Sequence, residues 1–278
     1  MTRSEVSFGI DSEELARLYE TVCEHQYQTG LVLLDQLKLV PGESVLDVGS
    51  GTGKLATYAA ELVGDSGRVV GIDPLGARVR IANESARARA NLSFAVGDAH
   101  DLTRFESASF DVVYLNAVFH WLSDKPEALR QFARVLKPNG RLGITTGSGD
   151  HRFPHETVRD RVLARDAYCA YQDGGLKGQA QLVTRKELEG YLADAGFHAG
   201  PVTEVPNELC TKDADTMIDF VESSSFGNYL GHLPEDVRAL VRQEIVQEYE
   251  EFRTANGICA SAKDYLVVAT VPSQIPTA

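Results

Sequence analysis

The sequence predicts an α/β fold built on a parallel sheet with helices on both faces. Apolar strands alternate with amphipathic helices from about residue 44 to residue 146, and this alternation is typical of βαβ units. The chain has 278 residues, 43% of them hydrophobic. That is enough to bury a full core for one α/β domain and an added cap.

The N-terminal segment, residues 1–40, is predicted to be helical after a loose start. From Asp11 to Lys38, leucines and other apolar residues recur at helical spacing. Ser12 is a candidate N-cap, and Gly30 is a candidate break between two helices.

The first predicted strand, Val45 to Val48, runs into a glycine-rich turn with the sequence Gly49-Ser50-Gly51-Thr52-Gly53. Its Gly-x-Gly-x-Gly spacing differs from the Gly-x-Gly-x-x-Gly fingerprint of dinucleotide sites. Asp47 lies just ahead of the turn, where it would repel a pyrophosphate but could accept hydrogen bonds from an ammonium group or hold the loop shut. The turn therefore favours a cationic or zwitterionic ligand.

The next strands each end in a polar residue. Asp73 ends the second strand about 20 residues past the glycines, where nucleotide-binding units place the acceptor for ribose hydroxyls. Asp98 follows the third strand and could accept from an adenine amino group. The fourth strand ends at Asn116, and the fifth, Arg141 to Thr146, follows a predicted turn over residues 137–140. In open parallel sheets ligands bind at these carboxyl ends.

Together these motifs resemble class I S-adenosylmethionine-dependent methyltransferases. The resemblance implies a Rossmann-like seven-stranded methyltransferase sheet with helices on both faces and a helical cap, and it implies S-adenosyl-L-methionine (SAM) as the cofactor. The motifs that carry it are Leu46-Asp47-Val48-Gly49-Ser50-Gly51-Thr52-Gly53, Gly71-Ile72-Asp73, Gly97-Asp98-Ala99, Phe110-Asp111-Val112-Val113 and Arg134-Val135-Leu136-Lys137-Pro138-Asn139-Gly140.

The resemblance also implies a set of cofactor contacts. Asn116 would face the methionine end, while Ala99 and His100 would flank the adenine. In related enzymes an N-terminal helix closes over the cofactor, which makes Tyr19 a candidate near the methyl group, although Tyr19 fits equally well as a core position of its own helix. The expected cofactor-binding residues are Tyr19, Tyr27, Asp47, Gly49, Ser50, Gly51, Asp73, Pro74, Asp98, Ala99, His100 and Asn116.

His120 is the main candidate for acid–base chemistry, with Tyr19 as a second catalytic candidate. His120 follows the fourth strand, and histidine titrates near neutral pH. An equally good reading makes it a histidine that is hydrogen-bonded within its helix. The expected substrate-binding residues are His120, Phe153, Tyr168, Tyr171, Phe226 and Tyr229.

The same resemblance predicts the domain organisation. The SAM-binding core comprises residues 41–147, 184–205 and 262–273, and residues 148–183 and 206–261 form substrate-cap insertions. If strand six is parallel and strand seven antiparallel, both insertions leave and re-enter the sheet on its ligand side. Thr184 and Glu187 have the spacing of a capping box at the helix before strand six, which is expected from about His198 to Val205. The last strand is expected from Tyr265 to Val271.

Composition excludes several classes of partner. The net charge of −13 argues against nucleic acid, and the apolar runs are too short for a membrane span. Four scattered cysteines, Cys23, Cys169, Cys210 and Cys259, form no metal motif. We interpret them as free thiols in a reducing compartment and expect no metal. The polar N-terminus does not resemble a signal peptide, so a cytoplasmic location is expected. A homo-oligomer stays open.

The function expected from these observations is SAM-dependent methyl transfer to a small, largely apolar organic molecule. Carbon or oxygen methylation is expected, a nitrogen acceptor also stays open, and natural-product biosynthesis is one setting. Two alternatives remain: an NAD-dependent oxidoreductase, which the glycine spacing and Asp47 disfavour, and a repurposed module that binds SAM without transferring a methyl group.

Overall fold

The computed structural model describes residues 11–151, 153–172 and 180–273. The chain divides into two compact units. The first, which we call the helical unit, comprises residues 1–25, 150–181 and 206–263. The second, the sheet unit, comprises residues 26–149, 182–205 and 264–278. The expected assignment of a SAM-binding core and two cap insertions stays a proposal.

The sheet follows the order β3-β2-β1-β4-β5-β9-β6. Strands β1 to β5 pair in parallel, and β9 is antiparallel to both β5 and β6. Strand β6 is therefore parallel to the first five, as the resemblance implied, and the predicted α/β fold is confirmed. The strands on this path are β1 (Ser44–Val48), β2 (Arg68–Asp73), β3 (Leu92–Val96), β4 (Phe110–Asn116), β5 (Leu136–Gly147), β6 (His198–Ala199) and β9 (Gly257–Thr270).

Alternation along the strands builds a core on each face of this sheet. On β4, Val113 and Leu115 belong to one buried cluster, whereas Val112 and Tyr114 belong to the other. Successive side chains of a strand point to opposite faces, so one strand supplies both cores. The helices of this part of the chain are α2 (Glu24–Leu37), α3 (Lys54–Val63), α4 (Gly76–Ala86), α5 (Lys125–Val135) and α7 (Arg185–Asp194).

The helical unit has its own apolar core. Helix α8 packs against α1 and α9, and α6 packs against α9. The core includes Val162, Ile218 and Ile245, all buried. The helices are α1 (Glu13–Val22), α6 (Pro154–Leu163), α8 (Ala214–Ser224) and α9 (Glu235–Tyr249).

Two predicted helix starts are confirmed. The Ser12 hydroxyl accepts a hydrogen bond from the Leu15 amide at the start of α1. Thr184 and Glu187 form the reciprocal capping box of α7. Each satisfies backbone donors that the first helical turn leaves without partners.

The predicted break at Gly30 is wrong. The chain breaks at Cys23, between α1 and α2, and Gly30 lies buried inside α2. A β-carbon at Gly30 would lie 2.6 Å from a methyl carbon of Leu55 and 3.0 Å from the Asn116 side-chain nitrogen. Glycine therefore allows α2 to approach its neighbours closely, a requirement that helical periodicity does not reveal.

Strand boundaries differ from the sequence prediction at three places. Residues 137–140 are part of β5 rather than a separate turn, although Asn139 has a left-handed φ of 63°. The expected sixth strand is two strands, β6 and β7 (Thr203–Thr211). Strand β9 begins at Gly257 rather than Tyr265 and pairs with β7 and the short β8 (Arg253–Thr254). Pairing partners distant in sequence set these lengths, so local propensity misses them.

The interpretation of all four cysteines as free thiols is wrong. Cys210 and Cys259 form a disulfide between β7 and β9, while Cys23 and Cys169 are not disulfide-bonded. Strand pairing brings together two cysteines that are 49 residues apart in sequence. Cysteine usage therefore gives no support to a reducing compartment. Within the described ranges, no helix is both long and apolar enough to cross a membrane.

Candidate functional site

The glycine turn after β1 is held against the end of β2. The amides of Gly49 and Ser50 both donate to the Ile72 carbonyl, at 2.7 and 3.0 Å, and the Gly51 amide donates to a carboxylate oxygen of Asp73 at 2.9 Å. Gly49 and Gly51 have left-handed φ values of 76° and 54°. The turn thus has a fixed shape that only glycines adopt without strain.

Close packing explains two of the glycines. A β-carbon at Gly49 would lie 2.3 Å from a methyl carbon of Val118, and one at Gly53 would lie 2.5 Å from the Phe94 ring. Glycine at these two positions therefore lets the turn pack directly against side chains of the sheet unit.

Asp47 lies in β1, just ahead of the turn, and its carboxyl group is buried. It is 3% exposed and accepts a hydrogen bond from the Tyr114 hydroxyl at 2.8 Å. Burial raises the pKa of Asp47 to about 7; the Tyr114 hydrogen bond opposes this rise, and repulsion from Asp73 adds to it. A cation bound beside these two carboxyl groups would relieve both the repulsion and the cost of burial.

Asp73 ends β2, and its carboxylate organises the adjoining loops. One oxygen accepts from the Gly51 amide and the other from the Leu75 amide, each at 2.9 Å. Each carboxylate oxygen can accept more than one hydrogen bond. Asp73 can therefore hold the loops and still accept from ribose hydroxyls. Pro74, the next residue, is exposed.

Asp98 and His100 form a linked pair after β3. Asp98 accepts from the His100 backbone amide at 2.9 Å, and its carboxylate lies 2.7 Å from His100 Nδ1. The Asp124 amide donates to His100 Nε2 at 3.3 Å. This bond assigns the ring proton to Nδ1, so His100 ties the β3 loop to the start of α5. Ala99 between them is buried.

The side-chain amide of Asn116 makes hydrogen bonds to two other elements of the sheet unit. Its Nδ2 donates to the Gln26 carbonyl at 2.9 Å, and its Oδ1 accepts from the Thr145 hydroxyl at 2.7 Å. Asn116 thus connects α2, β4 and β5. Its expected role at the methionine end of the cofactor stays a prediction.

His120 lies in a 3-10 turn after β4. The Gly147 amide donates to its Nδ1 at 3.3 Å, and the Thr146 hydroxyl lies 3.1 Å from the same atom. Burial, with a smaller contribution from the Lys125 charge, lowers the pKa of His120 to about 3. The ring is therefore neutral near pH 7. Because Nδ1 accepts from Gly147, the ring proton is assigned to Nε2.

Three further residues that are expected to contact the cofactor are Ser50, Tyr27 and Tyr19. Ser50 has a buried hydroxyl oxygen without a hydrogen-bond partner among the described residues. The Lys54 ammonium lies 4.4 Å from the ring centre of Tyr27. Tyr19 lies on α1 in the helical unit, so its two expected roles, catalytic and cofactor-binding, stay predictions.

All of the expected substrate-binding residues except His120 are aromatic residues of the helical unit. The Phe153 ring stacks on His155 with centres 5.1 Å apart, and the Tyr229 hydroxyl donates to the His155 carbonyl at 2.8 Å. Tyr168 donates to Glu244 at 2.6 Å, and Tyr171 packs against the core of this unit. Phe226 holds a left-handed φ of 59° in the turn after α8. Their contact with a substrate stays a prediction.

Sequence reasoning missed Tyr114 and Thr145. Tyr114 lies opposite Asp47 in the pairing of β1 with β4, and Thr145 lies opposite Asn116 in the pairing of β4 with β5. Both read as ordinary strand positions in the sequence. The sequence feature that could have identified them is a polar group inside an otherwise apolar strand, because a buried polar group needs a hydrogen-bond partner.

Comparison with known proteins identifies the family. A family model described as a methyltransferase domain matches residues 39–196. The chain belongs to this family. It is a class I SAM-dependent methyltransferase, and SAM is its cofactor.

Among the proteins that the chain resembles are two that are named for different activities and one solved structure. The chain is 30% identical over 267 residues to a nocamycin O-methyltransferase of Saccharothrix syringae, covering 90% of this chain and 93% of that protein. It is 36% identical over 157 residues to an arsenite methyltransferase of Aquipseudomonas alcaligenes, covering 54% of this chain but only 44% of that protein. The crystal structure of the YcgJ protein of Bacillus subtilis shares the fold, with a TM-score of 0.61, 18% identity, and coverage of 89% of this chain and all of that one.

The residues at the sheet edge fit SAM. Asp47 and Asp73 supply negative charge for a positively charged ligand, and the Ser50 hydroxyl oxygen is buried without a partner among the described residues. Asp73 and Asp98 follow neighbouring strands and offer acceptors for a nucleoside. Each of these groups belongs to the sheet unit.

Proposed function

We propose that this methyltransferase transfers the methyl group of SAM to a small, largely apolar organic molecule, with an oxygen atom as the favoured acceptor. The observation that carries the proposal is the succession of polar side chains, Asp47, Asp73, Asp98 and Asn116, at or near the carboxyl ends of β1, β2, β3 and β4, which are neighbours in the sheet. The preference for oxygen rests on the O-methyltransferase relative, whose length the chain matches almost fully. When bound, SAM supplies a methyl group already activated on a sulfonium.

The residues of the sheet edge would bind and orient the cofactor. Asp73 would accept from the ribose hydroxyls and Asp98 from the adenine amino group. Asp47, ionised by the approach of a cation, would pair with the ammonium of the methionine end. Such positioning contributes strongly to methyl transfer, because an in-line displacement on an activated group needs alignment more than acid–base help.

His120 would act as a hydrogen-bond donor rather than a base. A neutral ring with a pKa of about 3 is a weak proton acceptor. The Gly147 amide occupies Nδ1, so Nε2–H would donate to an oxygen of the acceptor molecule. A carboxylate acceptor needs no base, which makes this arrangement sufficient for O-methylation of an acid.

The test supplies SAM with a deuterated methyl group and a panel of acceptors: carboxylic acids, phenols, quinols and arsenite. The expected result is S-adenosylhomocysteine together with a product that carries the heavy methyl group on an organic oxygen. A heavy methyl group on carbon or arsenic would overturn the oxygen preference. Cofactor binding without turnover over the whole panel would favour a module that binds SAM without methyl transfer.

The role of His120 is tested by His120→Gln, with His198→Gln on an exposed histidine as the matched control. We expect His120→Gln to lower kcat while leaving the Kd for S-adenosylhomocysteine unchanged, and His198→Gln to change neither. If loss of activity follows the titration of a group near pH 6 to 7 in the wild type and vanishes in His120→Gln, His120 is a base instead.

A further inference from the structure

The disulfide of the helical unit lies beside an acidic side chain. Cys210 belongs to β7, Cys259 belongs to β9, and the two strands are paired. The Cα atoms of the two cysteines are 4.1 Å apart. Glu208 precedes Cys210 by two positions on β7, so both side chains leave the same face of that strand. A carboxylate therefore accompanies the two sulfur atoms.

Three potential metal ligands converge at this point. The two sulfur atoms and a carboxylate oxygen of Glu208 all lie within 4.8 Å of one another. Around a tetrahedral zinc ion with bonds of about 2.0 to 2.3 Å, the ligand atoms are separated by about 3.3 to 3.8 Å. Small side-chain rotations would therefore bring the three atoms onto one ion once the sulfur atoms are no longer bonded to each other.

Contacts other than the disulfide also hold the strands together here. Strand β9 pairs with β8 as well as with β7. A β-carbon at Gly257 would lie 2.1 Å from the carbonyl oxygen of Thr211, the residue after Cys210. This close approach of β9 to β7 lies two residues before Cys259 and is made by backbone atoms. We therefore expect the two cysteines to stay adjacent after the disulfide is reduced.

The cluster is accessible from solvent. Glu208 and Cys210 are exposed, and Cys259 is half-buried. A reductant and a metal ion can therefore both reach it. The Thr254 hydroxyl oxygen lies 3.3 Å from the Cys259 sulfur. An O–H group at this distance can support a thiolate ligand from the second coordination shell.

We infer that Glu208, Cys210 and Cys259 form a binding site for a thiophilic divalent cation of the zinc type when the disulfide is reduced. A thiol reductant supplies two electrons and two protons, is itself oxidised to a disulfide, and leaves two cysteine thiols in the protein. Both thiols lose their protons as the ion binds, with Glu208 as the third ligand and a water molecule as the fourth. Thiolates select zinc-type ions over magnesium and calcium, which prefer oxygen ligands alone.

The bound ion would link β7 to β9 in the reduced protein, as the disulfide links them in the oxidised protein. The spacing of the cysteines in the sequence does not reveal this site, because strand pairing brings the ligands together. The inference does not depend on the proposed function, since the proposed ligands Glu208, Cys210 and Cys259 belong to the helical unit and the expected ribose and adenine acceptors belong to the sheet unit.

The test titrates zinc and cobalt(II) anaerobically into the full-length protein, before and after reduction by a phosphine that is then removed. We expect the reduced protein to bind one zinc ion at least tenfold more tightly than the oxidised protein, and cobalt(II) to give a thiolate-to-metal charge-transfer band. Cys210→Ser and Cys259→Ser should each remove that band. Cys169→Ser, at an exposed cysteine outside the disulfide, should retain it.

The contribution of the carboxylate is tested separately. Glu208→Gln should weaken zinc binding to the reduced protein at least tenfold. Glu235→Gln is the matched control, at an exposed acidic residue of α9, and should leave zinc binding unchanged. Wild-type zinc affinity in Glu208→Gln would overturn the three-ligand site.

Thermal unfolding gives a second measurement. Zinc should raise the unfolding midpoint of the reduced wild type and leave that of the oxidised protein unchanged. Equal zinc binding by the reduced and oxidised proteins, a band that survives in Cys210→Ser or Cys259→Ser, or a reduced protein that stays unfolded with zinc would each overturn the inference. If a cysteine variant does not fold, the comparison of the reduced with the oxidised wild type decides, because it needs no substitution.

Discussion

Asp47 makes a testable link between protonation and cofactor binding. Its pKa of about 7 means that near neutral pH about half of the molecules carry a neutral carboxyl group before the cofactor binds. A cation beside Asp47 stabilises the ionised form, so binding of S-adenosylhomocysteine, whose ammonium is retained, should release a proton. Affinity should therefore rise as the pH increases.

The magnitude follows from the ionised fraction. At pH 5.5 a group with a pKa of about 7 is roughly 3% ionised, and at pH 7 it is about half ionised, which gives a change of about fifteenfold in affinity. In the ligand-free protein the effect of pH on folding stability is opposite to its effect on cofactor affinity. A carboxyl group whose pKa is higher in the folded state than in the unfolded state costs stability once it is ionised. The contribution of Asp47 to the free energy of unfolding therefore falls as the pH rises from about 4 to about 7, by up to about 4 kcal/mol.

Calorimetric titration between pH 5.5 and 7, in buffers of different ionisation enthalpy, measures affinity and proton release together. Asp47→Asn should bind weakly at pH 7 and show little pH dependence. Tyr114→Phe should move the wild-type profile to higher pH, because the Tyr114 hydroxyl lowers the pKa of Asp47. The reasoning is refuted if Asp47→Asn keeps both the wild-type affinity and the wild-type pH profile.

Four further outcomes are expected. Asp73→Ala should weaken S-adenosylhomocysteine binding by about 1–3 kcal/mol in calorimetry, with Asp73→Asn in between; unchanged affinity in a folded Ala variant would remove Asp73 from the site. Reducing the Cys210–Cys259 disulfide should lower the free energy of unfolding in urea by about 4 kcal/mol, and Cys210→Ser should be insensitive to reductant. EDTA should leave turnover unchanged, whereas activity lost with EDTA and restored by magnesium would show a metal requirement. Phe226→Ala should weaken acceptor binding by about 1–3 kcal/mol while sparing the cofactor; an equal loss for both would make Phe226 structural.

The α/β fold class and the polar residues at the strand ends could be predicted from the sequence because both show in local patterns. Asp73 is the last residue of β2 and Asp98 follows shortly after β3, and because these parallel strands are neighbours both residues lie at the same end of the sheet. Helix starts such as Thr184 were equally predictable, because a capping box is complete within four residues.

Features that depend on distant partners could not be predicted. The pKa of Asp47 depends on its burial in the assembled sheet and on a hydrogen bond from Tyr114, which is 67 residues away in sequence. The tautomer of His120 depends on the amide of Gly147, 27 residues away. The disulfide depends on the pairing of β7 with β9. In each case the deciding contact is made by the assembled sheet and leaves no periodicity in the sequence.

The most direct test of the central claim is a crystal structure of the protein grown with S-adenosylhomocysteine. The claim predicts density along the carboxyl ends of β1 to β4, with the ribose hydroxyls on Asp73, the adenine amino group at Asp98 and the ammonium beside Asp47. Density in any other part of the molecule, or ribose hydroxyls that make no contact with Asp73, would contradict it.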